Sequence, residues 1–97
     1  MRVIAKRTLR AFWIKHNDSE EQLKAWYNEA EKAHWISPAA IKKDYPSASI
    51  LPDNRIVFNI KGNTYRLIVK INYSLGIVWI RFIGSHNEYD GINAEKI

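Results

Sequence analysis

Apolar residues in the first half of the chain recur with the spacing of α-helices. Leu9, Phe12 and Trp13 follow at i, i+3 and i+4, which predicts a helix over about residues 6–14. A second set with this spacing predicts a helix over 19–34: Leu23, Trp26, Tyr27, Ala30 and Ala33. Ser19-x-x-Gln22 fits a capping box at its start. Ser37-Pro38 predicts a further short helix that continues to about Asp44, because proline suits the first helical position.

In the second half of the chain, apolar and polar residues alternate instead. The segments 55–60, 64–73 and 77–84 predict three strands, and residues 1–5 predict a short opening strand. Gly62-Asn63 and Leu75-Gly76 are expected to form the loops of two hairpins. The change of period predicts an α+β fold in a single domain over residues 1–97, with the helices packed on one face of the sheet.

The two expected loops fix a register, which divides the side chains between two faces. Asn59 would then lie opposite Arg66, Arg66 opposite Ser85, and Lys70 opposite Arg81. The face expected to pack against the helices carries Phe58, Ile60, Tyr65, Leu67, Val69, Ile71, Ile80 and Phe82. The other face carries Asn59, Lys61, Arg66, Lys70, Trp79, Arg81 and Ser85.

Composition narrows the classes of function. The 97 residues carry 15 Lys and Arg against 10 Asp and Glu, and this net charge of +5 favours a polyanionic partner. The absence of cysteine excludes disulfides, zinc fingers and a cysteine nucleophile. No apolar run has the length of a membrane span, and the basic N-terminal residues do not resemble a signal peptide. We expect a cytoplasmic protein that is stable without a cofactor.

The polar sheet face gathers four cations, Lys61, Arg66, Lys70 and Arg81, beside Trp79. Arginine binds phosphate in a bidentate way, and an indole ring can stack on a nucleobase. The alternative is an ordinary solvated face of an antiparallel sheet. Arg81 favours a function, because it interrupts an otherwise apolar strand.

Ser85 to Asp90 form a second group of chemically active residues, directly after the last strand. His86 can act as a general acid or base near neutral pH, and nearby cations can lower the pKa of a tyrosine such as Tyr89. His86 and Asp90 alone make a weak metal site. The alternative is a polar C-terminal loop or short helix without a role in chemistry.

These pieces resemble the HigB family of bacterial toxins. The resemblance rests on Asn59-Ile-Lys-Gly-Asn63, on Tyr65-Arg66-Leu67, and on the His86-x-x-Tyr89-Asp90 ending. It implies a RelE-like fold, with helices on one face of a small, mostly antiparallel sheet. It also implies a type II toxin that cleaves mRNA without metal, typically on the ribosome, and that a HigA-type antitoxin neutralises.

The resemblance also implies roles for individual residues. Arg66 and Arg81 match the family's cations, and His86, Tyr89 and Asp90 match its terminal motif. His86 is assigned to proton transfer and Tyr89 to its partner or the acid, while Asp90 orients His86 or only caps the turn. Asn59, Lys61, Lys70 and Trp79 are expected to contact RNA. The rival interpretation is a non-catalytic basic module that binds RNA or protein, or a degenerate toxin that keeps its antitoxin surface.

Overall fold

Four helices and one five-stranded sheet make up the fold, seen in a computed structural model that describes residues 1–97. The helices are α1 (Lys6–Lys15), α2 (Glu20–Lys32), α3 (Pro38–Asp44) and α4 (His86–Asp90), and a 3-10 turn over Asn17–Ser19 joins α1 to α2. The strands are β1 (Arg2–Ile4), β2 (Ser49–Leu51), β3 (Arg55–Ile60), β4 (Tyr65–Asn72) and β5 (Ile77–Ser85). The predicted α+β class is confirmed. None of the helices is long and apolar enough to cross a membrane.

The sheet has the strand order β1-β5-β4-β3-β2. β1 runs parallel to β5, and every other pair of neighbours is antiparallel. The parallel pair needs a long connection, which α1, α2 and α3 supply as the chain crosses from one edge of the sheet to the other. The expectation of a mostly antiparallel sheet is therefore confirmed.

The core lies between the sheet and the first two helices. Helix α1 buries Leu9 and Trp13, and α2 buries Leu23, Trp26 and Ala30. The sheet contributes an apolar row that includes Phe58, Leu67, Val69 and Ile71. The Trp26 and Phe58 rings pack edge to face, with 5.3 Å between the ring centres. Full burial of each such side chain contributes about 1.5–3 kcal/mol. The predicted burial of Leu67 and Val69 is confirmed, since neither is accessible to solvent.

Two predicted helix starts have different outcomes. Ser37 caps α3 as predicted, because its Oγ accepts a hydrogen bond from the Ala40 N–H at 3.4 Å. The capping box predicted at Ser19 is wrong. Ser19 sits in the 3-10 turn, where its hydroxyl donates backwards to the His16 carbonyl at 2.7 Å instead of accepting from α2.

The predicted pairing of β3 with β4 is confirmed. Asn59 lies opposite Arg66 and Val57 opposite Ile68. The ladder ends at Ile60 and Tyr65, so the connection is a four-residue turn instead of the predicted two-residue loop.

The predicted pairing of β4 with β5 is wrong by two residues. Asn72 pairs with Ile77, and Lys70 faces Trp79 instead of Arg81. A β-bulge opposite Ile68 and Val69 then adds one residue to β5 and reverses its alternation. Because of the bulge, Phe82 lies opposite Ile68, on the face away from the helices. Ile83 packs on the core side, where Phe82 was predicted to lie.

Candidate active site

The His-x-x-Tyr-Asp segment is a short helix, α4, that begins directly at the end of β5. Ser85 and Glu88 form a reciprocal capping box: the Ser85 Oγ accepts from the Glu88 N–H at 3.2 Å, and Glu88 Oε1 accepts from the Ser85 N–H at 2.9 Å. The hydrogen bond from the Ser85 N–H holds the pKa of the Glu88 carboxyl below its usual range. The sequence signal Ser-x-x-Glu therefore fixes the helix start and leaves Glu88 a structural role.

His86 is held at both its backbone and its ring. Its main-chain N–H donates to the Thr64 carbonyl at 3.1 Å, which attaches α4 to the turn before β4. Its ring Nδ1 lies 3.1 Å from the Asp90 Oδ2, one helical turn later. The His86 side chain is 49% exposed and that of Asp90 is 59% exposed. Asp90 therefore lies on the Nδ1 side of the ring, and Nε2 makes no hydrogen bond within the chain.

Arg66 and Tyr89 meet in the same place. The Arg66 guanidinium carbon lies 5.7 Å from the centre of the Tyr89 ring, within the range of cation–π contacts. Arg66 Nη1 also donates to the Asn63 carbonyl at 3.1 Å. We call Arg66, His86, Tyr89 and Asp90 the terminal cluster. The fold therefore brings together four of the five predicted catalytic residues.

Gly84, which has no side chain, lies beside this cluster. It lies opposite Arg66 in the ladder, and a Cβ placed on it would come within 2.5 Å of the Phe82 ring. The Phe82 ring therefore lies against the bare backbone of Gly84. Because the bulge places Phe82 on this side of the sheet, an apolar ring lies against the strand position opposite Arg66.

The remaining predicted catalytic residue, Arg81, lies further along the same face. Arg81 is exposed, makes no ion pair and lines an open pocket of about 690 Å³ with Lys70 and Trp79. We call this the basic pocket. By strand alternation, Lys70 lies on the same face as Arg66. The prediction that Arg66 and Arg81 share a face is therefore confirmed, although the register behind it was wrong.

Carboxylates of the same chain compensate part of the positive charge on this face. Asp53 Oδ2 accepts from Arg55 Nη1 at 2.8 Å and from Lys70 Nζ at 3.4 Å. Both cations hold the pKa of Asp53 below its usual range, the hydrogen bond from Arg55 contributing most. The Arg66 and Arg81 guanidinium groups have no carboxylate partner, which leaves them available to an external anion.

The predicted position of Lys61 among these cations is wrong. Beyond the end of β3, Lys61 adopts a positive φ of 53° and turns towards the helices. Its ammonium pairs with Asp18 at 3.2 Å, and its main-chain N–H donates to the Gln22 side chain. Asn59 lies at the sheet edge, where its amide donates to the Ser47 carbonyl at 3.4 Å.

Sequence reasoning missed the β2–β3 hairpin, which supplies Asp53. Asp53 and Asn54 both adopt positive φ values, 59° and 60°, which these residue types tolerate better than most. The available signal was Pro52-Asp-Asn between two short apolar segments. Strand β2 itself has only three residues, too few for alternation to reveal it.

Sequence reasoning also missed the cover over the sheet face opposite the helices, which we call the outer face. Val57 is 2% exposed and Ile68 is fully buried, although both lie on this face. The C-terminal segment returns over this face. Tyr89 packs at Arg66, and Arg55 Nε donates to the main-chain oxygen of Ile97 at 2.9 Å. No three His, Asp or Glu side chains come together as a metal-binding group.

The chain is similar to one family of known proteins. A family model described as HigB toxin, the RelE-like toxic component of a toxin–antitoxin system, matches residues 19–92. The chain is 27% identical over 96 residues to the mRNA interferase toxin HigB of Escherichia coli strain K12, covering 97% of this chain and 92% of the relative. The mRNA interferase HigB of Shigella flexneri matches to the same extent. The chain therefore belongs to the HigB family of toxins, the RelE-like toxic components of toxin–antitoxin systems.

Proposed function

We propose that this toxin is a metal-independent endoribonuclease that cleaves mRNA on the ribosome. The observation that carries the proposal is the terminal cluster, in which one short helix carries a histidine paired with an aspartate and a tyrosine that packs on an arginine without a carboxylate partner. Relatives matched over nearly their whole length are named mRNA interferases, which supports the same substrate.

The chemistry needs only the RNA and these side chains. The ribose 2′-oxygen attacks the adjacent phosphorus as the bond from phosphorus to the 5′-oxygen breaks, which leaves a 2′,3′-cyclic phosphate and a 5′-hydroxyl. His86 takes the proton of the 2′-hydroxyl at Nε2, because Asp90 occupies the Nδ1 side of the ring. Tyr89 gives a proton to the departing 5′-oxygen.

The two arginines stabilise the charge of this reaction. Negative charge accumulates on the phosphoryl oxygens in the transition state, and fixed guanidinium groups are well suited to bind it. Arg66 lies beside the Tyr89 ring, and Arg81 lines the basic pocket further along β5. Lys70 and Trp79 extend the RNA contact beyond the scissile phosphate, and Asn59 borders it at the edge of the sheet.

The partner that neutralises the toxin is, in this proposal, an antitoxin of the HigA type. Family membership already assigns the chain an antitoxin partner. A copurification of the tagged toxin with the product of the neighbouring gene tests the HigA assignment, and a failure to form a complex would contradict it.

The test of the activity is cleavage of an mRNA on programmed ribosomes by the purified toxin, followed by mapping of the new 5′ ends. We expect cuts that leave 5′-hydroxyl ends. His86→Ala should reduce the rate by about 10²–10⁴, and Arg66→Ala by about 10²–10³.

The matched control is His34→Ala, which removes an exposed histidine far along the chain from the cluster and should leave the rate unchanged. If His86→Ala and Tyr89→Phe both cleave at the wild-type rate, the catalytic assignment is wrong. Retained RNA binding without any cleavage by the wild type would instead support the rival interpretation, a non-catalytic binding module.

A further inference from the structure

The basic pocket contains polar groups beyond those to which the proposed reaction gives a role. It lies at the end of the β4–β5 hairpin, and its lining includes Trp79, Lys70, Asn72, Asn54 and Arg81. Along β4, Lys70 is four residues from Arg66, which corresponds to about 13 Å at the rise of a strand. The pocket therefore lies beside the terminal cluster and not within it.

The hydrogen-bonding groups around this pocket are mainly donors. The Asn72 Oδ1 already accepts from the Leu75 N–H at 2.9 Å and from the Ser74 hydroxyl at 3.0 Å. These two bonds fix the amide orientation and leave the Asn72 Nδ2 hydrogens without a partner. Lys70 and Arg81 add cationic donors, and neither has any acceptor atom in its side chain.

The Trp79 indole gives the pocket an aromatic wall. Trp79 lies opposite Lys70 in the ladder and is half-buried, so that part of its ring stays open to the pocket. A nucleobase that stacks on an indole gains binding free energy whatever its sequence, whereas its edge is read by hydrogen bonds.

From these groups we infer that the basic pocket is a base-recognition subsite that selects guanine in the mRNA, next to the scissile phosphate. Guanine presents two adjacent acceptors, O6 and N7, to donor groups, whereas the corresponding edge of adenine presents one acceptor and one donor. The donor-rich rim therefore discriminates against adenine, and the larger purine ring uses more of the Trp79 face than a pyrimidine. The inference rests on the proposed function for its substrate, but the pocket itself can be tested without cleavage.

The direct test is an NMR titration of the ¹⁵N-labelled protein with GMP, AMP, CMP, UMP and inorganic phosphate. We expect GMP to shift the Trp79 indole and Asn72 amide signals, with an affinity about 5- to 100-fold above that of AMP. Trp79→Ala should abolish the shifts, and Asn72→Ala should reduce the preference for GMP. Asn28→Ala, which alters an exposed asparagine on α2, is the matched control and should titrate like the wild type.

The outcomes separate the pocket from the proposed reaction. Equal shifts with GMP and AMP, or equal shifts with phosphate alone, would overturn the assignment of guanine, even if the toxin cleaves mRNA. If the toxin does not cleave but GMP binds as described, the proposed function fails and the subsite stands. Where cleavage occurs, the mapped sites of the wild type should have guanine at a fixed offset, and Asn72→Ala should cut with this enrichment reduced.

Discussion

Replacing the two members of the His86–Asp90 pair separately should have effects of very different size. His86→Ala removes the proton-transfer group and should lower the cleavage rate by about 10²–10⁴. Asp90→Asn only weakens the orientation of the ring. The two side chains are 49% and 59% exposed, so that water screens their interaction. An exposed pair of this kind contributes about 0.2–1 kcal/mol, which corresponds to a rate loss of only about 1.5- to 5-fold.

Single-turnover cleavage of a ribosome-bound mRNA measures both effects on the same scale. The control is Glu20→Gln, which breaks the ion pair of Glu20 with Lys24, also exposed and also one helical turn apart, and should leave the rate unchanged. A loss of more than about 100-fold in Asp90→Asn would refute the orienting role, because it would require Asp90 to contact the reacting atoms. Full activity of His86→Ala would refute the whole assignment.

Three further predictions concern packing, pH and salt. Gly84→Ala brings a Cβ against the Phe82 ring and should lower the free energy of unfolding by about 1 kcal/mol, while Gly91→Ala, with no contact under 3.6 Å, should have no such effect on thermal unfolding. The hydrogen bond from Tyr65 lowers the pKa of Asp18, so its stabilisation is present above the unfolded pKa and is lost as pH falls through the folded pKa. Asp18→Asn should therefore lower the Tm at pH 7, with a deficit that begins to shrink only below about pH 4 and disappears below the lowered folded pKa, and a deficit that persists at still lower pH would contradict this reasoning. Finally, if three outer-face cations contact phosphates of single-stranded RNA, affinity should fall about 18-fold between 50 and 200 mM salt, and an unchanged affinity would exclude this electrostatic basis.

The helices and the pairing of β3 with β4 could be predicted because each pattern of apolar residues fits only one arrangement. The apolar positions of α2 lie on a single helix face, and a shift of β3 by one residue would turn Phe58 to solvent. Strand β5 offers no such constraint. The segment from Ile77 to Ile83 is apolar on both sides apart from Arg81, so several registers would bury a similar apolar area. For the same reason, the alternation of apolar and polar residues gave no sign of the bulge.

The candidate site was predictable in its residues but not in its grouping. His86, Tyr89 and Asp90 could be found because they follow one another in the chain. Their contact with Arg66 depends on the capping box at Ser85, which turns the chain back over the sheet at the end of β5. The prediction for Lys61 was wrong because a positive φ after the end of β3 sets the direction of its side chain. A lysine in the sequence gives no indication of a positive φ.

The C-terminal segment carries the catalytic candidates and also makes contacts on the outer face. The segment that carries His86, Tyr89 and Asp90 returns over the outer face, where Tyr89 packs at Arg66 and Arg55 Nε donates to the main-chain oxygen of Ile97. Burial of Val57 and Ile68 on the same face contributes about 3–6 kcal/mol in total, far more than the exposed contacts within the terminal cluster. Loss of one of these exposed contacts should therefore leave the fold intact, so that the catalytic candidates can remain accessible to RNA.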